Sequence, residues 1–552
     1  MNRKLIEKAE SFLTKERGTV FKDPGGKISV CLVYPNTYHV GMSNLGYQGI
    51  YGLLNRRDDV VCERAFLPDT ADIIEYRRTG TPVFSLESKK PLNCFDIVAF
   101  SLSFENDYPN VLRILDLSKL PFRSTGRGDS HPLVIAGGVC VSFNPEPMAP
   151  AFDAIFIGEA EESLEEFIEM YKRAAGRKDL MTKASQIDGV YVPSAYMISY
   201  REDGTIAGRS ANNGQPDVVR RRYIKDLSLA PLNTGVITSE TEFSGMYLIE
   251  IMRGCPWNCR FCLVGNFFGP LRKKNIDQVR EEIGEGKKVT GKIGIIGPSL
   301  SDYPRIQEIL CIEGVRFSIT SLRASNRSAE LIGFLKGHKS VSIAPEAGIE
   351  RLRSVINKQV TEQDILSTAG LLFESEIATL RLYFMIGLPT ETDEDISGII
   401  ELVKKVRAIS NQGGIVLSVS TFIPKPFTPF QWHPMERLDP IKRKIRLIKK
   451  SLETKGIKVF HDVPKFAHMQ GLFSLGDRRV FPVIERMVGT DDYRKACADE
   501  GIDLEYYVFR KKGFDEVLPW DFIDIGVSKE RLWEEFSKAL AGQGSWGLSL
   551  LP

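Results

Sequence analysis

The chain of 552 residues has no run of apolar residues long enough to cross a bilayer, which takes about 20 in a row. It has no excess of charge of either sign: 73 Lys and Arg against 71 Asp and Glu leave a formal net charge of +2. That near-balance gives no electrostatic footprint for nucleic acid. Residues 1–18 are charged and helix-like, without the apolar centre of a secretory leader. Histidine is scarce, at six, and the nine cysteines are odd in number and lack a disulfide-like spacing. A disulfide scaffold is thereby excluded, and a reducing compartment, the cytoplasm, is expected. What is present is the composition of a globular protein, on a chain long enough for two or three domains.

Scarcity makes clustering informative. Three of the nine cysteines, Cys255, Cys259 and Cys262, fall within the run from Arg253 to Cys262 (RGCPWNCRFC). Thiolates are the ligands that zinc and iron–sulfur clusters take. A structural zinc wants four protein ligands and a plain ferredoxin cluster four cysteines. None of the other six cysteines is near enough in sequence to supply the fourth. The spacing therefore indicates a cluster with one iron left to a ligand other than protein; a zinc knuckle is the competing reading. The run follows Tyr247–Met252, an apolar stretch that reads as a buried strand.

Before this loop, apolar β-branched segments alternate with helical ones. Lys27–Tyr34, Val60–Phe66, Phe95–Leu102, Leu133–Ala136 and Ala154–Ile157 read as strands, with helices ending near Leu54, beginning near Asn106 and running to about Tyr171. The pattern predicts α/β architecture with a parallel, doubly wound, Rossmann-like sheet. Glycines at the C-terminal strand ends, Gly137-Gly138 and Gly158, are placed where such sheets bind ligands. Then come short strands, Val190–Val192 and Tyr196–Tyr200, a turn signal at Arg201–Gly204, a polar loop at Ser210–Pro216 and a basic run at Arg220–Arg222 read as a solvated face. Cys31, Cys62, Cys94 and Cys140 lie on or beside strands and read as buried small hydrophobes. Cys311 and Cys497 stand alone.

After the loop, candidate strands are Lys292–Ile296, Val315–Thr320, Ser340–Ala344, Thr379–Ile386 and Ile415–Thr421, with helices between. Counted with Tyr247–Met252, they predict a partial (β/α)6 barrel, whose ligands sit at the C-terminal strand ends. The expected division is a helical lead (1–26), a Rossmann-like domain (27–172), a connector (173–240), the partial barrel (241–435) and a mostly α C-terminal region (436–552), in which Ile457–Phe460 is a candidate strand. Ile423–Trp432, aromatic and proline-rich, reads as a lid, a substrate wall or a domain-closing segment.

The cysteine loop, with Phe261 at the aromatic position of Cys-x-x-x-Cys-x-aromatic-Cys, resembles that of the radical SAM superfamily. The resemblance implies a 4Fe–4S cluster on Cys255, Cys259 and Cys262. S-adenosylmethionine (SAM) would chelate the open iron and be cleaved to a 5′-deoxyadenosyl radical. It also implies SAM contacts at Phe261, Glu346 (in SIAPEAG) and Gly387 (in MIGLPTET). Arg323 reads either as a partner for the SAM carboxylate or as a surface salt bridge. Thr390 and Thr392 also read as helix-capping residues. Many members carry Gly-Gly-Glu on the second strand; this chain has Gly297-Pro298-Ser299-Leu300-Ser301-Asp302, so Gly297 and Ser299 stand in for that clamp.

Residues 27–172 resemble the cobalamin-binding domain that precedes many radical SAM domains, through Ile135-Ala136-Gly137-Gly138, Asn144-Pro145-Glu146-Pro147 and Ile157-Gly158-Glu159-Ala160-Glu161. That likeness implies cobalamin contacts at Gly137, Gly138, Gly158 and Glu159. The Asp-x-His-x-x-Gly motif is absent, so His39 is not assigned as a cobalt ligand; a Rossmann-like domain without the cofactor is the alternative. The C-terminal region resembles a subgroup described as Fe–S oxidoreductases. The function implied is cobalamin-dependent methyl transfer to an unactivated carbon. The alternatives are a cobalamin-independent rearrangement or oxidation and an iron–sulfur redox sensor. An electron donor such as flavodoxin or ferredoxin is the expected partner. No second cysteine cluster or RNA-binding β-barrel appendage is seen, which counts against a methylthiotransferase.

Overall fold

In the first sheet of the computed structural model, strand Ile28–Tyr34 pairs in parallel with Val60–Phe66 on one side and Ile97–Ser101 on the other. Leu133–Gly137 and Ala154–Phe156 continue the parallel set, and Val190–Tyr191 closes the edge antiparallel. The spatial order is second, first, third, fourth, fifth, sixth, which places a topological switch between the first and third strands. Buried residues run continuously along these strands, as expected of a sheet covered on both faces. Helices Leu45–Arg56, Tyr108–Leu117 and Glu161–Arg173 connect them. All residues are described except Met1, Asn213, Pro231, Thr320, 336–338 and 545–552.

This sheet belongs to one of two units: Met1–Leu248 with Phe473–Leu504 and Asp515–Ile525; the other is Ile249–Leu472 with Glu505–Phe514 and Gly526–Pro552. Residues 436–552, read from sequence as one C-terminal region, are thus divided between both. In the first unit the hairpin Tyr196–Tyr200/Ile206–Ala211 forms about the expected turn. Its second strand takes up the start of the stretch read as a polar loop. The basic run is only partly a solvated face: Arg221 is buried, and Arg222 pairs with Glu162 and Glu166 at 2.7 and 2.9 Å. Cys31, Cys62 and Cys140 are buried as expected, whereas Cys94 is exposed because it ends a short turn, Leu92–Cys94, before its strand begins.

The strand Tyr247–Glu250 enters the second unit at Ile249 and forms one sheet there with Lys292–Ile296 and Arg316–Ser318, and Ser321–Leu322, Ser340–Glu346, Thr379–Ile386, Gly414–Thr421 and Ile457–His461 form another. The third strand expected from sequence is split, pairing with the second strand before residue 320 and with Ser340–Glu346 after it. Thr320 itself lies outside the described residues. Ile457–His461 adds a seventh parallel strand beside Gly414–Thr421, one more than the six expected. Thr379–Ile386 alternates, with Leu380, Leu382, Phe384 and Ile386 inside, the period-two pattern of a strand with one packed face. Thr392 and Asp395 cap helix Asp393–Ile409 through a Thr392 N–H bond of 2.8 Å to the carboxylate, so Thr392 has the structural role its sequence context allowed. Trp432 is fully buried and packs edge-on to Trp533 at 5.0 Å and against Phe536 at 5.8 Å. The aromatic segment before it is therefore a closing segment of this unit. Among the described residues no helix is long and apolar enough to cross a membrane.

Candidate metal centre

The cysteine loop leaves its strand at Gly254, whose φ is +74° and whose pro-side-chain direction is blocked 2.8 Å away by the Pro270 carbonyl. Only glycine takes that conformation in that space without strain. Backbone and side chains then fix the loop from several directions. Cys262 N–H donates to Cys259 O at 3.0 Å, and the Asn266 amide donates to the carbonyls of Cys259 and Cys262 at 2.9 and 2.7 Å. Arg260, between two of the cysteines, is 1 % exposed. Its guanidinium donates to the carbonyls of Val355 and Gln543, both at 2.8 Å, and to Glu535 on helix Lys529–Leu540 at 3.0 and 3.2 Å. Burial holds its pKa below the usual arginine range, against the pull of Glu535.

Cys259 is buried and Cys255 and Cys262 are half-buried. Burial raises the pKa of all three thiols, Cys262 to about 12, with Cys259 and then Cys255 adding to the rise. Three thiolates on one short loop would repel one another. Deprotonated together they need a cation, and metal binding replaces their protons. Among the described residues no three His, Cys, Asp or Glu side chains are gathered as a single metal ion would require. A cubane asks for something else, since each thiolate meets its own iron and one corner is free of protein. The donor set fits a 4Fe–4S cluster open at one iron.

The remaining residues singled out by sequence lie in the same unit. Ser299 donates to Asp302 at 2.7 Å, and Asp302 accepts from the indole N–H of Trp257 at 2.6 Å. Ser299 therefore steadies the cysteine loop through Asp302. Gly297 lies where a Cβ would come within 2.6 Å of the Met252 side chain, so its smallness lets the first two strands close up. Arg323 is neither alone nor on the surface: its guanidinium stacks on Trp257 at 3.6 Å and donates to Gln359 O at 2.6 Å. Burial lowers its pKa, and Cys259 and Asp302 oppose that. Glu346, at φ +66° where strand pairing shifts register, pairs with Lys358 at 3.3 Å. Gly387, at φ +81°, donates to Glu391 at 2.9 Å, whose carboxylate is tied to Lys444 at 2.6 Å. Phe261 is half-buried between Arg260 and Cys262.

Lys358, Asn357 and Glu535 are absent from the sequence reading, because no spacing links them to the cysteines. Asp302 was visible only as a departure from Gly-Gly-Glu. Removing it as Asp302→Leu frees the Trp257 indole. Loss of an outer partner typically costs 10–100-fold in metal affinity. Iron release to a chelator from the reconstituted protein is expected to be about 10-fold faster than in the wild type; an unchanged rate would show that Asp302 gives the loop no support.

In the first unit the four residues read as cobalamin contacts are committed to the domain itself. The Gly137 carbonyl accepts from Leu102 N–H at 2.8 Å. Gly138, at φ +110°, faces the Leu102 carbonyl, 2.4 Å from where a Cβ would sit; Gly158, at φ +102°, faces the Arg222 carbonyl at 2.1 Å. Glu159 accepts from Ile224 N–H at 2.9 Å. The switch-point crevice between the first and third strands is itself crossed, by Asn36 to Asp107 at 2.9 Å and Asn44 to Ser103 at 3.1 Å. His39, outside any cobalt-ligand role, is half-exposed and faces Glu242 at 3.8 Å. These residues do not form an open cradle for cobalamin.

Asp107, beneath that crevice, is pushed up to about 6 by burial, which the Asn36 and Asn110 amides only partly offset. An unfolded Asp titrates near 3.9. Between these values the folded chain binds the extra proton, so the Asp107 contribution to stability is fully present below about pH 4 and is lost as pH rises through about 6, by on the order of 3 kcal/mol. Asp107→Asn is expected to flatten this part of the stability profile in urea unfolding between pH 4 and 7; a slope equal to the wild type's would exclude Asp107 as its source.

A family model described as radical SAM proteins, N-terminal, matches residues 46–193, and one for the radical SAM superfamily matches residues 249–403. The uncharacterized protein MJ0966 of Methanocaldococcus jannaschii is 33 % identical over 464 residues, covering 82 % of this chain and 89 % of that one. The uncharacterized methyltransferase PH0819 of Pyrococcus horikoshii is 24 % identical over 295 residues, covering 50 % of this chain and 59 % of its own. The cobalamin-dependent SAM radical enzyme OxsB, solved with aqua-cobalamin and SAM, superposes with a TM-score of 0.45 at 16 % identity over 68 % of this chain and 52 % of that one.

Proposed function

The chain belongs to the radical SAM superfamily, and from that premise we propose that it is an enzyme that cleaves SAM reductively at a cluster on Cys255, Cys259 and Cys262 and uses the radical to take hydrogen from an unactivated C–H bond. The observation that carries this reading is one loop holding three buried or half-buried free cysteines, with no group of side chains gathered for a single metal ion among the described residues. The 4Fe–4S cluster, when bound, supplies the electron and the open iron for the sulfonium nucleotide. The chain's own residues hold and orient: Arg260 and Asn266 fix the loop backbone, Asp302 fixes Trp257, and the resemblance assigns the adenine to Phe261 and Gly387. The electron comes from a small cytoplasmic donor of the flavodoxin or ferredoxin type.

The committed glycines and the bridged crevice of the first unit favour chemistry that runs without cobalamin, a rearrangement or oxidation. Methyl transfer from methylcobalamin to the substrate radical is the second reading, favoured by the methyltransferase relative. One anaerobic experiment separates these and the redox-sensor alternative. Protein from cells supplied with cobalamin is reconstituted with iron and sulfide, reduced, and given SAM. An electron paramagnetic resonance signal of a reduced 4Fe–4S cluster that changes on adding SAM, with 5′-deoxyadenosine formed and no cobalamin carried, is the expected result. Cobalamin bound in equal amount to the chain would establish the second reading. A reducible cluster without SAM cleavage would leave only a redox sensor, and tetrahedral zinc would overturn both enzymatic readings.

A further inference from the structure

A short segment the cysteine spacing does not reveal runs alongside the cysteine loop. It follows helix Glu350–Val355. The Ile356 carbonyl accepts from Arg260 N–H at 3.0 Å, and the Asn357 amide donates to the Asn258 carbonyl at 2.9 Å. Asn357, buried, takes a left-handed backbone at φ +53°, a conformation asparagine tolerates better than most residues. Two cations are held at this junction. Lys358 ion-pairs with Glu346 at 3.3 Å, with side chains 13 % and 15 % exposed. Arg323 is fixed by Gln359 O on the same segment and by the Trp257 ring of the cysteine loop. Both cations stand beside the Cys259 turn of the loop: Lys358 follows the Asn357 that bonds the Asn258 carbonyl, and Arg323 lies on the ring of Trp257, two residues before Cys259. Glu346 reaches Lys358 from a strained backbone position at the end of its strand.

We propose that Lys358 and Arg323 form a fixed cationic wall on the Cys259 side of the cluster that favours its reduced form, and that Glu346 sets how much of the Lys358 charge reaches the cluster. This rests on the cluster reading above. The reduced cluster carries one more negative charge than the oxidised one, so a cation held against it in a poorly solvated site stabilises the reduced state selectively. Charge and hydrogen bonds to the ligand sulfurs are the levers by which a protein sets such a potential. Arg323 thereby becomes a positioning and tuning residue of the cluster, and Lys358 and Glu346 a rheostat beside it. A buried ion pair is weak evidence of a purely stabilising role, since its desolvation cost offsets its attraction.

The test is the midpoint potential of the reconstituted full-length protein without SAM, read by electron paramagnetic resonance during an anaerobic dithionite titration. Lys358→Gln and Arg323→Gln are each expected to lower the ratio of reduced to oxidised cluster at a fixed poise by tenfold or more, a potential about 59 mV more negative for one electron. Glu346→Gln is expected to move it the opposite way, and Lys358→Arg to stay near the wild type. A structural role would lower iron content in all variants alike without opposed shifts in potential. Equal potentials in wild type, Lys358→Gln and Glu346→Gln, or shifts of the same sign, would overturn the proposal. A wild type with no reducible cluster would instead overturn the reading on which it rests. If Lys358→Gln fails to load iron, Glu346→Gln and Arg323→Gln decide the matter alone.

Discussion

Cys259→Ala is expected to abolish the cluster. Cys259 is the middle ligand and the most buried of the three thiols, and its carbonyl also receives Cys262 N–H and the Asn266 amide. With one of three protein ligands gone, a cubane already open at one corner is left with two exchangeable irons. Bound iron should fall to background and SAM cleavage should drop by ~10³-fold or more, about 4 kcal/mol of lost barrier lowering. Iron assay, absorbance near 400 nm and 5′-deoxyadenosine formation measure this. Cys140→Ala is the matched comparison: it is equally buried but lies in the other unit's sheet region, so it should lose packing only and keep its iron. A Cys259→Ala protein with a full complement of iron and undiminished cleavage would end the cluster assignment.

The second large effect is expected far from any ligand in sequence. Glu535→Ala leaves the Arg260 guanidinium, 1 % exposed, without its carboxylate, and breaking one side of a buried ion pair costs about 3–5 kcal/mol. Because Arg260 sits between Cys259 and Phe261, the cost falls on the cysteine loop. Urea unfolding should lose stability in the unit holding the loop, and iron should be retained poorly although every ligand is intact. Glu535→Gln, which keeps the shape and a hydrogen-bond acceptor, should recover part of both. If Glu535→Ala unfolded and loaded iron as the wild type does, the contact between Arg260 and the helix Lys529–Leu540 would be incidental to the centre.

Sequence disclosed the ligands and most of the strands for a definite reason. Iron–sulfur ligation is written in local spacing, and strand interiors in this fold are continuous apolar runs such as Ile28–Tyr34. The supports of the centre were not legible. Asp302 and Glu535 are ordinary charged residues until the fold brings them 45 and 275 positions away to Trp257 and Arg260, and so is Lys358 until its neighbour Asn357 meets the Asn258 carbonyl, 99 positions away. Glycine was legible as a position but ambiguous in purpose. Gly138 and Gly158 signal close backbone approach, and the structure puts the chain's own carbonyls there instead of a ligand. Arg323 shows the same ambiguity: a cation after the third strand is equally consistent with a nucleotide carboxylate, a surface pair or a thiolate until its stacking on Trp257 is seen. The split of residues 436–552 between two units escaped because no composition shift marks it.

That split bears on how the protein is made. The Glu146 carboxylate, with no exposed surface, is met by Arg478 at 2.8 Å and by Tyr191 at 2.6 Å, and the Asn144 amide donates to the carbonyls of Ser474 and Gly476. Arg478 follows Glu146 by 332 residues. At ribosomal speeds of about 5–20 residues per second, a nascent first unit waits roughly 17–66 s for the strand of chain that satisfies its interior carboxylate. During that interval its interior acid has the Tyr191 hydroxyl but not its arginine, a stage at which a holding chaperone has a purpose and from which no truncation before Arg478 can advance.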